Sequence, residues 1–303
     1  MKVQRIYLWA LTLLIQMSAG QEVSFKDRGA KILKEIVSKE WASGWWDAKL
    51  EDVRLVSQKA DLARPTGLPP VWVGVIDGPG DTKGILMWDS AGEGKLVEFA
   101  LDTNLKIPGV ISGVPNQQQF PVKDTDGKLI ASGCVPTAAA NVLSFWADQK
   151  FPQWGNGKSV EDLTKLLRAR LMMTPFPDVD GFTPDGMTLA GAFPHELAKA
   201  IRLDALENEV GIDCRIASFS YELLQEEIKA QRPVLLSCTV RVPHKPQLSW
   251  GHEVVGVGVM TIGGVELVGV IDNFFPTKSP ETIRWVRKDA FRSLISIRPV
   301  KKG

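Results

Sequence analysis

Cys134 occupies a position from which a cysteine could act as a nucleophile. It follows Ser132-Gly133 and precedes Val135-Pro136-Thr137 and a run of alanines, so its thiol falls at the N-terminus of a helix. Unpaired backbone N–H groups at a helix start favour negative charge and so favour a thiolate. The small residues after it let that helix sit close against a neighbour, and Gly133 leaves room for the approach of another chain. The plain alternative is a structural cysteine that happens to open a helix. A nucleophilic cysteine also needs a base that takes its proton and returns it to the leaving amine. The chain holds three histidines. His195 follows Pro194 in the first turn of a helix, where an imidazole is usually solvated. His244 lies between Pro243 and Pro246, in what reads as an exposed loop. His252 follows Trp250-Gly251 and opens the apolar strand Val254-Val255-Gly256-Val257, where a ring is held rigidly and shielded from water. A histidine at a core edge, bonded to a carbonyl, is its bland reading.

The base in turn needs an acceptor on its second nitrogen. Asp272 ends the strand that returns from a turn at Ile262-Gly263-Gly264. A turn centred on Ile262 places residue 252 opposite residue 272, with Cβ atoms roughly 5 Å apart. A two-residue Gly263-Gly264 turn brings Phe275 opposite instead. A one-residue bulge exchanges Asp272 for Asn273, so both stay open as the acceptor. Acyl-transfer chemistry also needs N–H donors for an oxyanion, each worth roughly 10²–10³ in rate. The backbone N–H of Cys134 is one candidate. A side-chain amide from Gln117-Gln118-Gln119, in a loop ahead of the nucleophile, is the other.

Two groups of elements must position these residues. Ser24 can cap a helix whose apolar stripe is Ile32, Leu33, Ile36, Val37 and Trp41. Four strand-like runs follow, Asp52 to Leu62, Pro70 to Ile76, Gly84 to Trp88 and Lys95 to Leu101. A helix and a meander make a small α+β module over residues 21–105. Residues 106–113, with Pro108, Gly109 and Gly113, read as a linker. The second domain spans 114–303. Its predicted helices are Val135 to Asp148, one capped by Ser159, one from Pro194 to about Asn208, and one capped by Ser220. Its predicted strands are Asp213 to Ser218, Pro233 to Val240, His252 to Met260 and Val265 to Asp272. Helices first and antiparallel strands last give an α+β fold class. The cluster Trp41, Trp45 and Trp46 reads as core.

Residues 1–20 read as a signal peptide. Lys2 and Arg5 precede an apolar run from Ile6 to Ile15, and Ser18-Ala19-Gly20 places cleavage before Gln21. That run is far shorter than the roughly 20 residues a membrane span needs, and no other stretch is long and apolar enough. The expected location is therefore outside the cytoplasm, with no stable membrane insertion after cleavage. Charge is nearly balanced, 36 Lys+Arg against 35 Asp+Glu, which gives no reason to expect nucleic acid as a partner. The histidines and cysteines show no zinc spacing, so neither metal nor cofactor is expected. Asp77-Gly78-Pro79-Gly80 has the glycines of a phosphate loop but no helix after it, and is set aside. Of the three cysteines, Cys214 and Cys238 lie in short apolar strands and could pair or stay as buried thiols.

The string from Ser132 through Cys134 to Leu143 resembles the nucleophile helix of papain-like cysteine peptidases, closest to the bacteriocin-leader-processing (double-glycine) peptidases and their secreted relatives. Trp250-Gly251-His252-Glu253-Val254-Val255-Gly256-Val257-Gly258 resembles their histidine strand, and Val270-Ile271-Asp272 their third catalytic segment. Val114-Pro115 followed by Gln119 is similar to their oxyanion glutamine, with Gln118 as the competing position. The segment Gln231 to Leu235 is similar to the strand after their middle helix. The resemblance spans residues 114 to 298 and implies a papain-like domain that hydrolyses peptide or protein substrates through Cys134, His252, Asp272 and Gln119, without metal or cofactor. Two positions depart from the pattern. Val135 stands where glycine is frequent, which narrows the space beside the thiol. Asn273 stands where proline is frequent, which keeps Asp272 and Asn273 both in play. A cell-wall peptide amidase or transpeptidase shares the same chemistry, and a silent binding module could share the fold. The order of elements in residues 21–105 resembles cystatin-like pro-regions, so that module is expected to be either a propeptide or a permanent accessory domain.

Overall fold

The computed structural model describes residues 25–300 except 57–68, 81, 91–93, 103–105, 124–126, 128, 150, 156, 172–173, 177–188, 193, 243–244 and 274–281. The segment 1–20 read as a signal peptide, Ser24 read as a helix cap, His244 and Phe275 lie outside the described residues. The fold is α+β, a large antiparallel sheet with several helices. The first helix (α1, residues 25–37) turns Leu33 and Ile36 into the core, as its stripe requires. A 3₁₀ turn over Glu40–Trp45 follows. Trp45 is buried there and Trp41 half-buried, whereas Trp46 is 76% exposed, so the tryptophan cluster is only partly core.

The meander is β1 (Lys49–Val56), β2 (Val71–Asp77), β3 (Lys83–Asp89) and β4 (Leu96–Leu101). A short ribbon, β5 (Pro121–Lys123) with β6 (Leu129–Ala131), leads into α2 (Cys134–Gln149). After it come α3 (Pro152–Gly155), α4 (Val160–Arg170), a second ribbon of β7 (Thr174–Phe176) and β8 (Leu189–Gly191), α5 (Pro194–Glu207), β9 (Gly211–Ser218) and α6 (Tyr221–Lys229). Ser159 and Ser220 cap α4 and α6 by accepting from the N–H groups of Asp162 and Leu223. The chain closes with β10 (Val234–Val242), β11 (Lys245–Ile262), β12 (Val265–Ile271), β13 (Arg284–Arg287) and β14 (Phe291–Val300). Among the described residues no helix is long and apolar enough to cross a membrane.

Ten strands form one sheet in the order β1-β2-β3-β4-β13-β12-β11-β10-β14-β9. The N-terminal meander therefore continues directly into the C-terminal strands, through the pairs Arg284↔Ala100, Trp285↔Phe99 and Val286↔Glu98. Local periodicity gives no hint of this pairing, because the partners are remote in sequence. Two cores result. The larger gathers α2, α4 and α5 over β9 to β12 and β14, around Leu143, Leu163, Leu197, Val255 and Ile295. The second is shared by both ends of the chain: Leu33, Ile36, Trp45, Trp88 and Phe99 pack with Ile262, Leu267 and Trp285. Residues 106–113 are not a loose tether. Ile111 is 3% exposed, its N–H donates to the carbonyl of Val257 at 2.8 Å, and Val110 lies against Gly258.

Cys214 and Cys238 are free thiols. They sit on β9 and β10, with β14 between them. Two strand spacings of roughly 4.8 Å put them beyond the span of roughly 7 Å that a disulfide bridges.

Candidate active site

Backbone geometry at the start of α2 fixes the thiol. Gly133 has φ 95°, a value in the left-handed region that a side chain would strain, and it turns the chain from β6 into the helix. Arg168 of α4 donates to the carbonyls of Ala131 at 3.1 Å and Ser132 at 3.0 Å. Thr137 donates to the carbonyl of Gly133 at 2.6 Å and lies 3.1 Å from the Ser132 hydroxyl. Cys134 is then the first residue of the helix and half-buried. Val135, expected to narrow the space beside the thiol, buries its side chain in the larger core.

His252 comes to this thiol from β11. It is 4% exposed, directly opposite Cys238 on β10, and electrostatically coupled to the Cys134 side chain. Its Nε2 meets Asp272 Oδ1 at 2.8 Å, so Nδ1 is the nitrogen left for the thiol. The register that achieves this differs from the expectation of a turn centred on Ile262. The turn is the two-residue Gly263-Gly264, both with positive φ (57° and 73°), closed by Ile262↔Val265. A bulge at Val257 then shifts the pairing between Gly258↔Gly269 and Gly256↔Val270. Carried one residue beyond Val255↔Ile271, this register sets Asp272 across from Val254, on the same face as His252 and one diagonal step from it. Without the bulge Asn273 would take that place. The choice between the two acceptors is thus made at Val257, whose carbonyl is held by the N–H of Ile111.

Asn273 has a different task. Its Nδ2 donates to the carbonyls of Cys134 at 3.0 Å and Glu253 at 3.1 Å, and its Oδ1 accepts from Gln119 Nε2 at 2.9 Å. One amide therefore brackets the nucleophile, the histidine strand and the glutamine loop. Gln119 commits one amide hydrogen to this bond and keeps one. Gln118 spends both, on Asn116 Oδ1 at 2.7 Å and the carbonyl of Asp272 at 3.2 Å. Of the two, Gln119 has a donor to offer. Asn141 fixes the loop backbone by accepting from Gln117 N at 3.1 Å. Asn273→Asp would turn the bracket's two donations into a carboxylate facing two carbonyl oxygens. With Asn273 1% exposed, we expect a loss of at least about 2 kcal/mol in unfolding free energy, read by urea denaturation. Asp272→Asn should instead cost turnover with a smaller loss of stability. Equal stabilities for wild type and Asn273→Asp would refute the bracket.

Burial on its own would pull the His252 imidazole down. The Asp272 carboxylate and the Cys134 side chain outweigh it and raise the ring to about 9. Glu253, on the opposite face of β11, is pushed up by burial to about 7 although the Ser237 hydroxyl donates to it at 2.6 Å. Burial also raises Cys214, to about 11, and Cys238. His195 is exposed on α5, as its first-turn position implies.

Two residues absent from the sequence-level site touch it. Arg284 Nη1 donates to Asp272 Oδ2 at 2.5 Å, and its other nitrogens hold Glu98 at 2.6 and 2.8 Å. The signal for both was a lone charge inside an apolar strand: Glu98 in Leu-Val-Glu-Phe-Ala-Leu, Arg284 in Ile-Arg-Trp-Val. Their opposite signs invite pairing. No protein-family model matches the chain, and no curated protein is significantly similar to it.

Proposed function

We propose that the chain is an exported cysteine peptidase of the papain-like class, acting on peptide or protein substrates. The observation that carries this reading is the half-buried Cys134 thiol coupled to the buried His252 ring, whose Nε2 meets Asp272 at 2.8 Å. A half-buried thiol beside a rigid imidazole with an anchored far nitrogen is what acyl transfer to sulfur requires. Cys134 at the head of α2, packed against an antiparallel sheet that presents His252, supports the papain-like arrangement.

The mechanism follows from these atoms. The Cys134 thiolate attacks the scissile carbonyl, and the developing oxyanion takes hydrogen bonds from the Cys134 N–H and the remaining amide hydrogen of Gln119. The tetrahedral intermediate collapses as the His252 imidazolium gives its proton to the leaving amine. A thioester remains. His252, now neutral, takes a proton from water, whose oxygen attacks the thioester carbonyl. Collapse releases the acid, and the thiolate–imidazolium pair returns. Asp272 holds the ring in orientation throughout.

Iodoacetamide at pH 7 should modify Cys134 alone, because Cys214 and Cys238 are buried and burial raises both thiols. Turnover should fall as pH rises through about 9, where the imidazolium that protonates the leaving amine is lost. Stability follows the same sign. The contribution of the raised imidazole is fully present below its ordinary value of 6.5 and disappears as pH climbs through about 9. Peptide mapping and a kcat/KM profile check both. Labelling elsewhere first, or a rate still rising at about pH 10, would sink the assignment.

A further inference from the structure

A carboxylate in the middle of an apolar strand is costly unless it is paired. Glu98 on β4 is 2% exposed and Arg284 on β13 is 1% exposed. Arg284 grips Glu98 with two nitrogens and Asp272 with the third, and the other oxygen of Asp272 meets His252. The sheet register explains why these four reach one another. Arg284 stands opposite Ala100 on one side and Val270 on the other. Glu98 and Asp272 are therefore each one diagonal step from it, on the same face. Charges alternate across four adjacent strands, from Glu98 to Arg284 to Asp272 to His252, and end at Cys134.

Such a row has an electrostatic consequence. Arg284 beside Asp272 places a cation near the ring and competes for the carboxylate. Glu98 cancels that cation with both of its oxygens. The group Glu98, Arg284 and Asp272 then carries a net charge of one negative unit, which the His252 imidazolium completes.

We propose that Glu98 is a positioning residue for the catalytic imidazole: by neutralising Arg284 it frees Asp272 to hold His252 in its protonated form. The N-terminal meander thereby supplies part of the catalytic electrostatics. The proposal rests on the cysteine-peptidase reading for what the imidazole does, but the charge coupling itself needs no substrate. The other ionisable groups around the ring do not obscure it. Cys134 faces it from α2. Cys238 faces it from β10 and stays a thiol, since burial raises it. Glu253, its neighbour on β11, is raised by burial to about 7, below the expected wild-type midpoint, and is the same group in every variant compared.

The test is an NMR titration of His252 in the full chain, its signal assigned by its loss in His252→Gln. The wild-type midpoint is expected near about 9. In Glu98→Gln the uncancelled guanidinium should lower it by about one pH unit or more. In the double variant Glu98→Gln/Arg284→Met, with both buried charges removed, it should return to the wild-type value or above. A merely structural Glu98 would change stability and leave the midpoint in place, and that result in Glu98→Gln overturns the proposal. If Glu98→Gln does not fold, the double variant decides: a midpoint below wild type overturns the proposal, and one at or above it supports the proposal. Because no substrate is involved, a chain that titrates as expected but hydrolyses no peptide would count against the peptidase reading alone.

Discussion

Replacing Cys134 with alanine is expected to remove peptide hydrolysis, by a factor of about 10⁴–10⁶ in kcat, without unfolding the chain. Alanine is tolerated in the first turn of a helix, and the thiol is half-buried and packed against the larger core. The structural ties of this turn are made by other groups, namely Gly133, Arg168, Thr137 and Asn273, and all survive the substitution. The chemistry does not survive, because the other two thiols are buried and burial raises both, and Cys238 donates to the carbonyl of His252 at 3.5 Å instead of meeting its ring. His252→Ala should cost a similar factor, and the double variant should be little worse than either single one, since thiol and ring act as a unit. Turnover above background in Cys134→Ala, with a denaturation midpoint like that of wild type, would end the nucleophile assignment.

What could be read without coordinates was local. The start of α2 was legible because glycine before, proline early and alanines after Cys134 leave few other structures open to that segment. The caps at Ser159 and Ser220 were legible for the same reason. His252 stood out as the one histidine followed by an apolar run, although it does not open the strand as expected, since β11 begins at Lys245 and pairs with β10 ahead of the histidine. The acceptor was not legible, because it depends on one bulged residue. The parity of β11 against β12 changes at Val257, and Val110 and Ile111 pack at that point from more than a hundred residues away. Nothing in the hairpin's own residues announces that contact. The glutamine was legible only as a cluster. Asn273, read as a rival to Asp272, is the group that orients Gln119. The joining of the two halves was hidden too, because strand adjacency between β4 and β13 leaves no periodic trace. The same blindness kept a Cys214–Cys238 pairing open until β14 was found between their strands.

A chain beginning at Ile107 is expected to lose its fold rather than gain activity. Without residues 25–106, the four-residue strand β13 becomes an edge. Arg284 then keeps Asp272 but loses Glu98, and breaking one side of a buried ion pair costs about 3–5 kcal/mol. Trp285, 1% exposed, loses the ring of Phe99 stacked 6.4 Å away and most of the second core around it. Further ties go with it: Thr282 to Asp102 at 2.9 Å, Arg287 to Asp89 at 2.9 Å, and the N–H of Gly263 to Glu35 of α1 at 2.5 Å. Against a typical total stability of about 5–15 kcal/mol, these losses together are decisive. The removable-propeptide expectation leads to the opposite result, a shorter chain that folds, works faster and is inhibited by adding residues 21–106 back. Soluble yield, circular dichroism and peptidase assays on chains starting at Gln21 and Ile107 separate the two. A nick within 106–113 offers a milder version, since both pieces should still elute together on gel filtration, held by β4 against β13. Clean separation into a folded, active piece 107–303 would show that the meander is a restraint and that the Glu98–Arg284 pair is dispensable to the fold.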